Sequence, residues 1–236
     1  MTEALFVDAP YLRDCAATVR DVSATGIVLD RTVFYPRGGG QAGDAGTLVV
    51  GGTTLAIADT VKGEGGAIVH VPAPGQEAAL AAFAPGTAVT AAIDWDRRHR
   101  HMRFHTATHL LCALVPHQTN GCSITADYAR LDFDMVEPLD KEALEAGLAR
   151  LVAEAHEVRT VWITDEELDA RPELVRTMSA PPPRGVGRVR LLEVVGVDLQ
   201  PCGGTHVANT REIGALKVVK IEKKSARSRR VVLEFK

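Results

Sequence analysis

Aromatic residues and paired cysteines are scarce in this chain of 236 residues. Only 5% of the residues are aromatic, which argues against a surface that reads unpaired bases mainly by stacking. The four cysteines, Cys15, Cys112, Cys122 and Cys202, lie far apart and form no CxxC pair. We therefore expect no disulfide framework, and a reducing, intracellular setting is the default.

The sequence also lacks a targeting segment, a membrane-length apolar run and an excess of basic charge. The first residues, MTEALFVDAPYLRD, have neither the basic nor the apolar region of a signal peptide. No apolar run approaches the ~18–20 residues that a membrane helix needs. The 27 basic and 30 acidic residues give a formal net charge of −3, which excludes a globally basic nucleic-acid-binding protein but not a local basic patch. We expect a cytoplasmic protein that makes no contact with membranes.

The composition changes near residue 95. Before it, short apolar runs alternate with turn signals, for example at residues 23–26 and 51–52, which predicts a small antiparallel barrel or sandwich. Residues 77–83 predict a helical turn within this part. After residue 95, helical and strand patterns are mixed. The sequence therefore predicts an α+β fold with two domains, 1–94 and 95–236.

Several elements of the second part are predicted from periodicity. A helix of roughly 15–18 residues starts near Asp96 and ends before Pro116. A long amphipathic helix is predicted at 140–158, and a cap at Thr164 starts another. Strand patterns and one loop are predicted in these segments: TADYARLDFDM, VWI, RVRLLEVVGVDL, ALKVVKIEKKS and RRVVLEF as strands, and PPPRGVGR as a loop.

Two pairs of metal-capable residues share one spacing. His105 and His109 lie four apart in the predicted helix and so share one face. Cys202 and His206 enclose two glycines, which predicts a tight turn. Three imidazoles and one thiolate form a donor set suited to Zn²⁺. Spacing alone leaves two alternatives open: ordinary packing roles for these side chains, and a histidine register that includes His101 or His117.

Two familiar motifs are not met. Zinc proteases of the HExxH type need a glutamate after the first histidine, and this position is Thr106. The segment FYPRGGGQAGDAG, residues 34–46, lacks the Gly-Lys-Ser/Thr of a phosphate-binding loop. Its three adjacent glycines permit close approach of the backbone to a ligand or a neighbouring domain, and a bulged hairpin turn is the alternative.

The segments HTATHLL, CGGTHV and FYPRGGGQAGDAG resemble the signature segments of the AlaX family of trans-acting alanyl-tRNA editing proteins, in its medium-length form. The resemblance implies a glycine-rich N-terminal β-barrel domain at 1–94. It implies a zinc-binding editing domain at 95–236, of the type appended to threonyl- and alanyl-tRNA synthetases. One Zn²⁺ per chain is then expected on these four ligands: His105, His109, Cys202 and His206. This assignment excludes His101 and His117 as ligands.

The reaction that the resemblance implies is hydrolysis of the ester joining serine or glycine to alanine tRNA. A synthetase pocket sized for alanine cannot firmly reject a smaller residue or one with an added hydroxyl, so a second site is needed. The metal could polarise the carbonyl, activate water or orient the aminoacyl group. Four protein ligands are typical of a closed site, which favours the orienting role. The alternatives are a zinc-stabilised, non-catalytic RNA-binding or regulatory module and a zinc hydrolase of small esters or amides.

Contacts to the substrate are also expected from the resemblance. We expect Thr125 to contact the serine side chain, with Ser123, two positions earlier on a strand, as a second candidate. Gln41 is expected to bond the aminoacyl end, and Gly38, Gly39 and Gly40 to shape the pocket wall. Three threonines inside the ligand motifs are candidates to orient imidazoles or water, or are filler: Thr106, Thr108 and Thr205.

We expect the protein to be a monomer. Two clusters of basic residues are candidates to bind the tRNA, and for the C-terminal cluster the alternative is an ordinary solvated strand face. The clusters are Arg97, Arg98, Arg100 and Arg103 at the helix start, and Lys217, Lys220, Lys223, Lys224, Arg227, Arg229 and Arg230 near the C-terminus.

Overall fold

The computed structural model describes residues 1–178, 182, 185 and 187–236, and it has the predicted α+β architecture. The chain forms two compact units: residues 1–38 with 42–99, and residues 39–41 with 100–236. The division falls inside a helix, and the short segment 39–41 belongs to the second unit. Half of the predicted loop PPPRGVGR lies outside the described residues. Among the described residues, none of the helices is long and apolar enough to cross a membrane.

The first unit is a closed antiparallel barrel, as predicted. Its elements are β1 (Glu3–Ala4), β2 (Asp14–Ser23), β3 (Gly26–Leu29), β4 (Arg31–Thr32), β5 (Gly46–Val50), β6 (Thr53–Lys62), β7 (Ile68–Pro72), α1 (Glu77–Leu80) and β8 (Ala88–Ile93). The strand order around the barrel is β2-β3-β7-β6-β5-β8, while β1 and β4 form a separate parallel pair. The helical turn predicted at 77–83 is confirmed as α1.

Alternation along the strands builds the barrel interior. On β6, Leu55 and Ile57 are buried while Thr54 and Ala58 are exposed, as expected for a strand with one face in a core. Gly51 and Gly52 join β5 to β6 with φ of 52° and 84°. A two-residue hairpin turn of this kind requires positive φ at both positions, which is why two glycines stand there.

The second unit combines two antiparallel sheets with helices. Its elements are α2 (Trp95–Leu114), which begins in the first unit, β9 (Thr119–Ile124), β10 (Ala129–Asp134), α3 (Lys141–Ala153), β11 (Val158–Ile163), α4 (Asp165–Asp169), β12 (Val189–Val194), β13 (Asp198–Pro201), β14 (Leu216–Ser225) and β15 (Ser228–Phe235). The sheet orders are β14-β15-β10-β9 and β11-β12-β13.

Two strand predictions in this unit need correction. RVRLLEVVGVDL forms two strands, β12 and β13, because Gly196 adopts φ of 76° and turns the chain between them. TADYARLDFDM contributes β10 only from Ala129 onward, because its first residues form the turn that follows β9. The caps of α3 and α4 are Asp140 and Thr164, and the latter was predicted.

Helix α2 places the candidate ligands in the interior. Every residue from Phe104 to Cys112 is buried, which takes in all sides of the helix. A helix that is buried all round, rather than on one stripe, lies inside the core. His105 and His109 are therefore shielded from bulk solvent by the same packing.

Candidate metal centre

The four predicted ligands converge on one point. The ligand atoms of His105, His109, Cys202 and His206 all lie within 4.8 Å of one another. Cys202 Sγ is 3.5 Å from His105 Nε2 and 3.2 Å from His206 Nε2. The i, i+4 spacing on α2 brings the rings of His105 and His109 to a centroid distance of 5.7 Å. Within the described residues, this group includes neither His101 nor His117.

Each histidine of the centre is fixed by a hydrogen bond at Nδ1, so that Nε2 is the atom facing the other ligands. The pairs and their lengths are His105 with Gln41 Oε1 at 2.8 Å, His109 with Asp198 Oδ2 at 2.8 Å, and His206 with Thr106 Oγ1 at 3.2 Å.

The three partners act as acceptors and therefore hold the proton on Nδ1. Asp198 is a carboxylate, and Gln41 Oε1 also accepts the backbone N–H of Thr205 at 3.2 Å. Thr106 donates its hydroxyl proton to Met102 O at 2.9 Å, which leaves a lone pair for the imidazole. An imidazole that donates from one nitrogen presents a lone pair at the other, which is the state a metal ligand requires.

The electrostatics of the centre also suit a cation. Burial opposes ionisation of Cys202, yet the neighbouring His105 and His206 imidazoles bring the pKa of its thiol well below the ordinary value. By contrast, burial raises the pKa of Cys112 and Cys122 to about 12. Cys202 is thus the cysteine predisposed to be a thiolate, the form that binds metals.

The histidines respond to the same environment. Burial lowers the pKa of His206 well below its usual range. Burial also lowers the pKa of His109, but the hydrogen bond from its ring to Asp198 and the nearby Cys202 outweigh that effect and raise it to about 10. The surroundings of His109 therefore carry negative charge that a bound cation would balance.

The predicted tight turn in CGGTH depends on one of its two glycines. A Cβ at Gly204 would lie 2.2 Å from His105 Cε1, whereas a Cβ at Gly203 would meet no atom within 4 Å. Arg190 supports the turn from outside, since its Nη1 donates to Cys202 O at 2.8 Å and to Gly204 O at 3.0 Å. Absence of a side chain at Gly204 thus allows the loop to approach His105.

The glycine-rich segment contributes to the centre through Gln41. The backbone of Gly40, with φ of 86°, accepts from Ile124 N–H at 2.8 Å, and a Cβ there would lie 2.7 Å from Cys122 Sγ. Gln41 Nε2 donates to Thr205 Oγ1 at 3.0 Å. The fully buried Gln41 therefore positions His105 and Thr205, while its predicted bond to a substrate stays a prediction.

Asp198 is a residue of the site that the predictions from the sequence do not include. The predicted strand RVRLLEVVGVDL contains it, and the signal that could have identified it is a single carboxylate within the apolar run VGVDLQ, four residues before Cys202. Gln200 Nε2 donates to both Asp198 oxygens at 2.9 Å. The carboxylate is thus held by a neighbour while it fixes His109.

Thr125 makes its hydrogen bonds within its own turn, and the substrate contacts predicted for Thr125 and Ser123 stay predictions. Thr125 Oγ1 donates to Tyr128 O at 3.1 Å and accepts from the N–H groups of Asp127 and Tyr128 at 3.2 and 3.1 Å. These bonds occupy the hydroxyl in its own turn. Ser123 lies between Cys122 and Ile124 on β9, so its side chain faces the side of the sheet opposite to theirs.

The predicted basic contacts divide into buried and exposed residues. Arg98 as an RNA contact is wrong: its side chain is fully buried and bonded to Asp44, Val33 O and Pro10 O. Arg97 is half-buried and donates to Gly43 O at 3.4 Å.

On the β14–β15 hairpin, Lys223 and Lys224 are exposed. Lys220 and Arg227 are also exposed but pair with Glu222 and Asp134 at 3.0 and 3.3 Å. The hairpin therefore keeps a smaller basic surface than its sequence suggested.

Comparisons with known families cover both units. Residues 189–232, which include CGGTH, match a family model described as "Threonyl and Alanyl tRNA synthetase second additional domain". Residues 3–97 match a model described as "tRNA synthetases class II (A)".

Individual relatives match this chain over nearly its whole length. The chain is 36% identical to alanyl-tRNA editing protein AlaX-M of Methanosarcina mazei, covering 98% of this chain and 95% of the relative. It is 33% identical to AlaX-M of Saccharolobus solfataricus, covering 100% of both. It is 34% identical to alanine–tRNA ligase of Pyrococcus abyssi, covering 94% of this chain but 24% of the ligase.

Proposed function

Since the chain belongs to the AlaX-M family of alanyl-tRNA editing proteins, we propose that it hydrolyses, in trans, the ester joining serine or glycine to alanine tRNA. The family's editing role makes the chain an aminoacyl-tRNA deacylase, a hydrolase that protects translational fidelity. Its partner is alanine tRNA carrying the wrong amino acid. Serine and glycine are the expected errors because a pocket sized for alanine discriminates weakly against them.

The observation that carries this proposal is the convergence of three imidazoles and one predisposed thiolate. His105, His109, Cys202 and His206 would hold one Zn²⁺, and the donor set with its fixed Nδ1 protons fits that ion. Bound there, Zn²⁺ would supply a fixed positive charge that polarises or orients the aminoacyl group. Because the chain itself offers four ligands, we assign the site an orienting role.

The protein's own residues shape how a substrate approaches. The three histidines are buried, whereas Cys202 is half-buried and Gly203 is exposed. Approach is therefore from the side of the CGGTH loop. Gln41 links the glycine-rich segment to this loop through Thr205 and thereby keeps both in place while the ester is bound. Such preorganisation aligns the reacting bond before hydrolysis.

Affinity for the tRNA backbone comes, in this proposal, from the exposed end of the β14–β15 hairpin. Lys223 and Lys224 are the exposed cations there, with Arg227 beside them. Phosphate contacts of this kind are sensitive to salt and independent of sequence. Replacing Lys223 and Lys224 with alanine should weaken tRNA binding and flatten its salt dependence.

Deacylation of Ser-, Gly- and Ala-tRNA(Ala), run side by side, tests the proposed function. We expect hydrolysis of the first two and little of the third, and loss of turnover in a folded His109→Ala variant. No turnover at any enzyme concentration would favour a zinc-stabilised, non-catalytic RNA-binding module. Comparable cleavage of aminoacyl esters that lack tRNA would favour a small-ester hydrolase.

A further inference from the structure

One of the two tryptophans of the chain lies at the surface of the second unit. Trp162 is 39% exposed on β11, an edge strand of the sheet β11-β12-β13. The guanidinium of the exposed Arg188 lies over its ring, 4.4 Å from the centroid. Aromatic faces and guanidinium planes are the surfaces on which unpaired bases stack in RNA complexes.

This tryptophan lies in the same cross-strand row as a metal-centre residue. Trp162 pairs directly with Arg190 on β12. On the other side of β12, Arg190 O accepts the backbone N–H of Cys202 at 3.1 Å. Since neighbouring strands lie ~4.8 Å apart, about two strand spacings, or ~10 Å, separate the backbones of Trp162 and Cys202.

The tryptophan also shares a face of the sheet with the residues that support the centre. Directly paired residues point to the same face, and so do residues two positions apart on one strand. Arg190 therefore shares its face with Leu192 and Val194, which pair with Gln200 and Asp198. This is the face from which Asp198 bonds His109.

Arg190 joins the exposed ring to the metal-centre loop. Its Nη1 donates to the carbonyls of Cys202 and Gly204, and its Nη2 donates to Thr160 Oγ1 at 3.1 Å. The row thus runs from the accessible side of the metal centre to an aromatic ring covered by the Arg188 guanidinium. Positive charge beside an aromatic face matches a nucleotide, which has a phosphate and a base.

We propose that Trp162 and Arg188 form the subsite for the unpaired 3′-terminal base of the tRNA. The inference rests on the proposed function, in which the ester is bound at the metal centre. The terminal ribose carries that ester, and its base is one nucleoside away, so both must be bound on one continuous surface. The row from Cys202 through Arg190 to Trp162 provides such a surface, with Arg190 beneath the ribose.

A binding experiment on the terminal base tests the subsite. Uncharged tRNA(Ala) ending in CCA, and the same RNA lacking the terminal A, are titrated against the wild-type chain, Trp162→Ala and Trp162→Phe. We expect Trp162→Ala to weaken binding of the CCA form by roughly 5- to 100-fold, the range for loss of one stacked base. The RNA that lacks the terminal A should bind the wild-type chain and Trp162→Ala equally. Trp162→Phe should retain most of the affinity for the CCA form.

Tyr128→Ala is the matched control, because Tyr128 is 37% exposed in the same unit and belongs to neither site. It should bind both RNAs as the wild-type chain does. Equal weakening of both RNAs by Trp162→Ala, or no weakening, would overturn the subsite. The subsite would also be overturned if Trp162→Ala changed the oligomeric state in sedimentation but left RNA binding intact. That result would make the β11 edge an interface between copies of the chain.

Deacylation of Ser-tRNA(Ala) measured on the same preparations keeps the two proposals apart. Deacylation by the wild-type chain, together with binding of uncharged RNA that does not depend on the terminal A, overturns the subsite alone. RNA binding that depends on the terminal A, without any deacylation, overturns the proposed hydrolysis but leaves the base-binding surface.

Discussion

Two of the three imidazoles of the metal centre owe their orientation to residues outside the ligand motifs. Gln41 comes from the glycine-rich segment and Asp198 from β13, while Thr106 alone lies within a ligand motif. The ligands themselves could be found from spacing and resemblance, because a helix fixes which side chains share a face. Thr106 was already a candidate to orient an imidazole, and its bond to His206 agrees with that prediction. Asp198 could not be found in this way, because a strand register decides that it faces His109.

Removing the Asp198 carboxylate should weaken the metal site while leaving the four ligands in place. We expect Asp198→Ala to lower Zn²⁺ affinity about 10- to 100-fold, because the His109 ring loses the acceptor that fixes its tautomer. Competition with a chromogenic chelator measures the change. Asp134→Ala, which removes an acid paired with the exposed Arg227, should leave the affinity unaltered.

The two glycines of CGGTH should differ sharply in their tolerance of a methyl group. Gly204→Ala forces a Cβ against His105, so we expect a loss of about 100-fold in kcat/KM for deacylation. Gly203→Ala meets open space and should stay within about twofold of the wild-type value. Equal behaviour of the two variants would show that the close approach to His105 is unimportant.

At the scale of elements, the start of α2 is part of the barrel unit. Arg98 forms a buried ion pair with Asp44, whose Oδ2 also accepts Tyr35 N–H at 2.6 Å. This pair explains the aspartate that ends the motif FYPRGGGQAGD. The sequence places Arg98 in a cluster of basic residues, and charge clustering does not distinguish a buried guanidinium from an exposed one.

Breaking this pair should destabilise the barrel more than breaking a surface pair. Arg98→Ala leaves the Asp44 charge buried without its partner, and we expect a loss of about 3–5 kcal/mol. Arg31→Ala removes an exposed pair with Glu3 at 3.1 Å and should cost at most about 1 kcal/mol. Urea unfolding followed by Trp95 fluorescence, in a Trp162→Phe background, measures both. Similar losses for the two variants would contradict a structural role for Arg98.

The elements that the sequence predicted best were those with strong local signals. Helix α2, the barrel hairpin at Gly51 and Gly52, and the cap at Thr164 are encoded by neighbouring residues. The break between β12 and β13 was missed because Val-Gly-Val continues an apolar run, and only the φ of Gly196 separates the strands. The turn chemistry of Thr125 was likewise hidden, since alternation alone suggested a strand.

For the whole molecule, one tryptophan in each unit allows the units to be followed separately. Trp95 lies in the first unit and Trp162 in the second.

The barrel contains a buried histidine, His70, which is bonded to Thr32 Oγ1 at 2.8 Å and to Ile27 O at 3.0 Å. Burial lowers the pKa of His70 from 6.5 to about 4.

Barrel stability should therefore fall in mild acid. Below pH 6.5 the unfolded chain binds a proton at His70 that the folded barrel excludes until about pH 4, so stability is full above 6.5 and declines between these values. The loss attributable to this group approaches ~3 kcal/mol at the lower end. Urea unfolding of the Trp162→Phe chain, followed by Trp95 fluorescence across this pH range, measures it. His70→Gln should flatten the profile, and an unchanged slope would contradict the assignment.

We propose that one Zn²⁺ on His105, His109, Cys202 and His206 is needed to hydrolyse mischarged alanine tRNA. Deacylation of Ser-tRNA(Ala) by chelator-treated protein, to which Zn²⁺ is returned in known amounts, tests this proposal. We expect activity to be lost on chelation, to rise in proportion to added Zn²⁺ and to saturate at one ion per chain. Full activity in the chelated protein, or saturation at another stoichiometry, would contradict it.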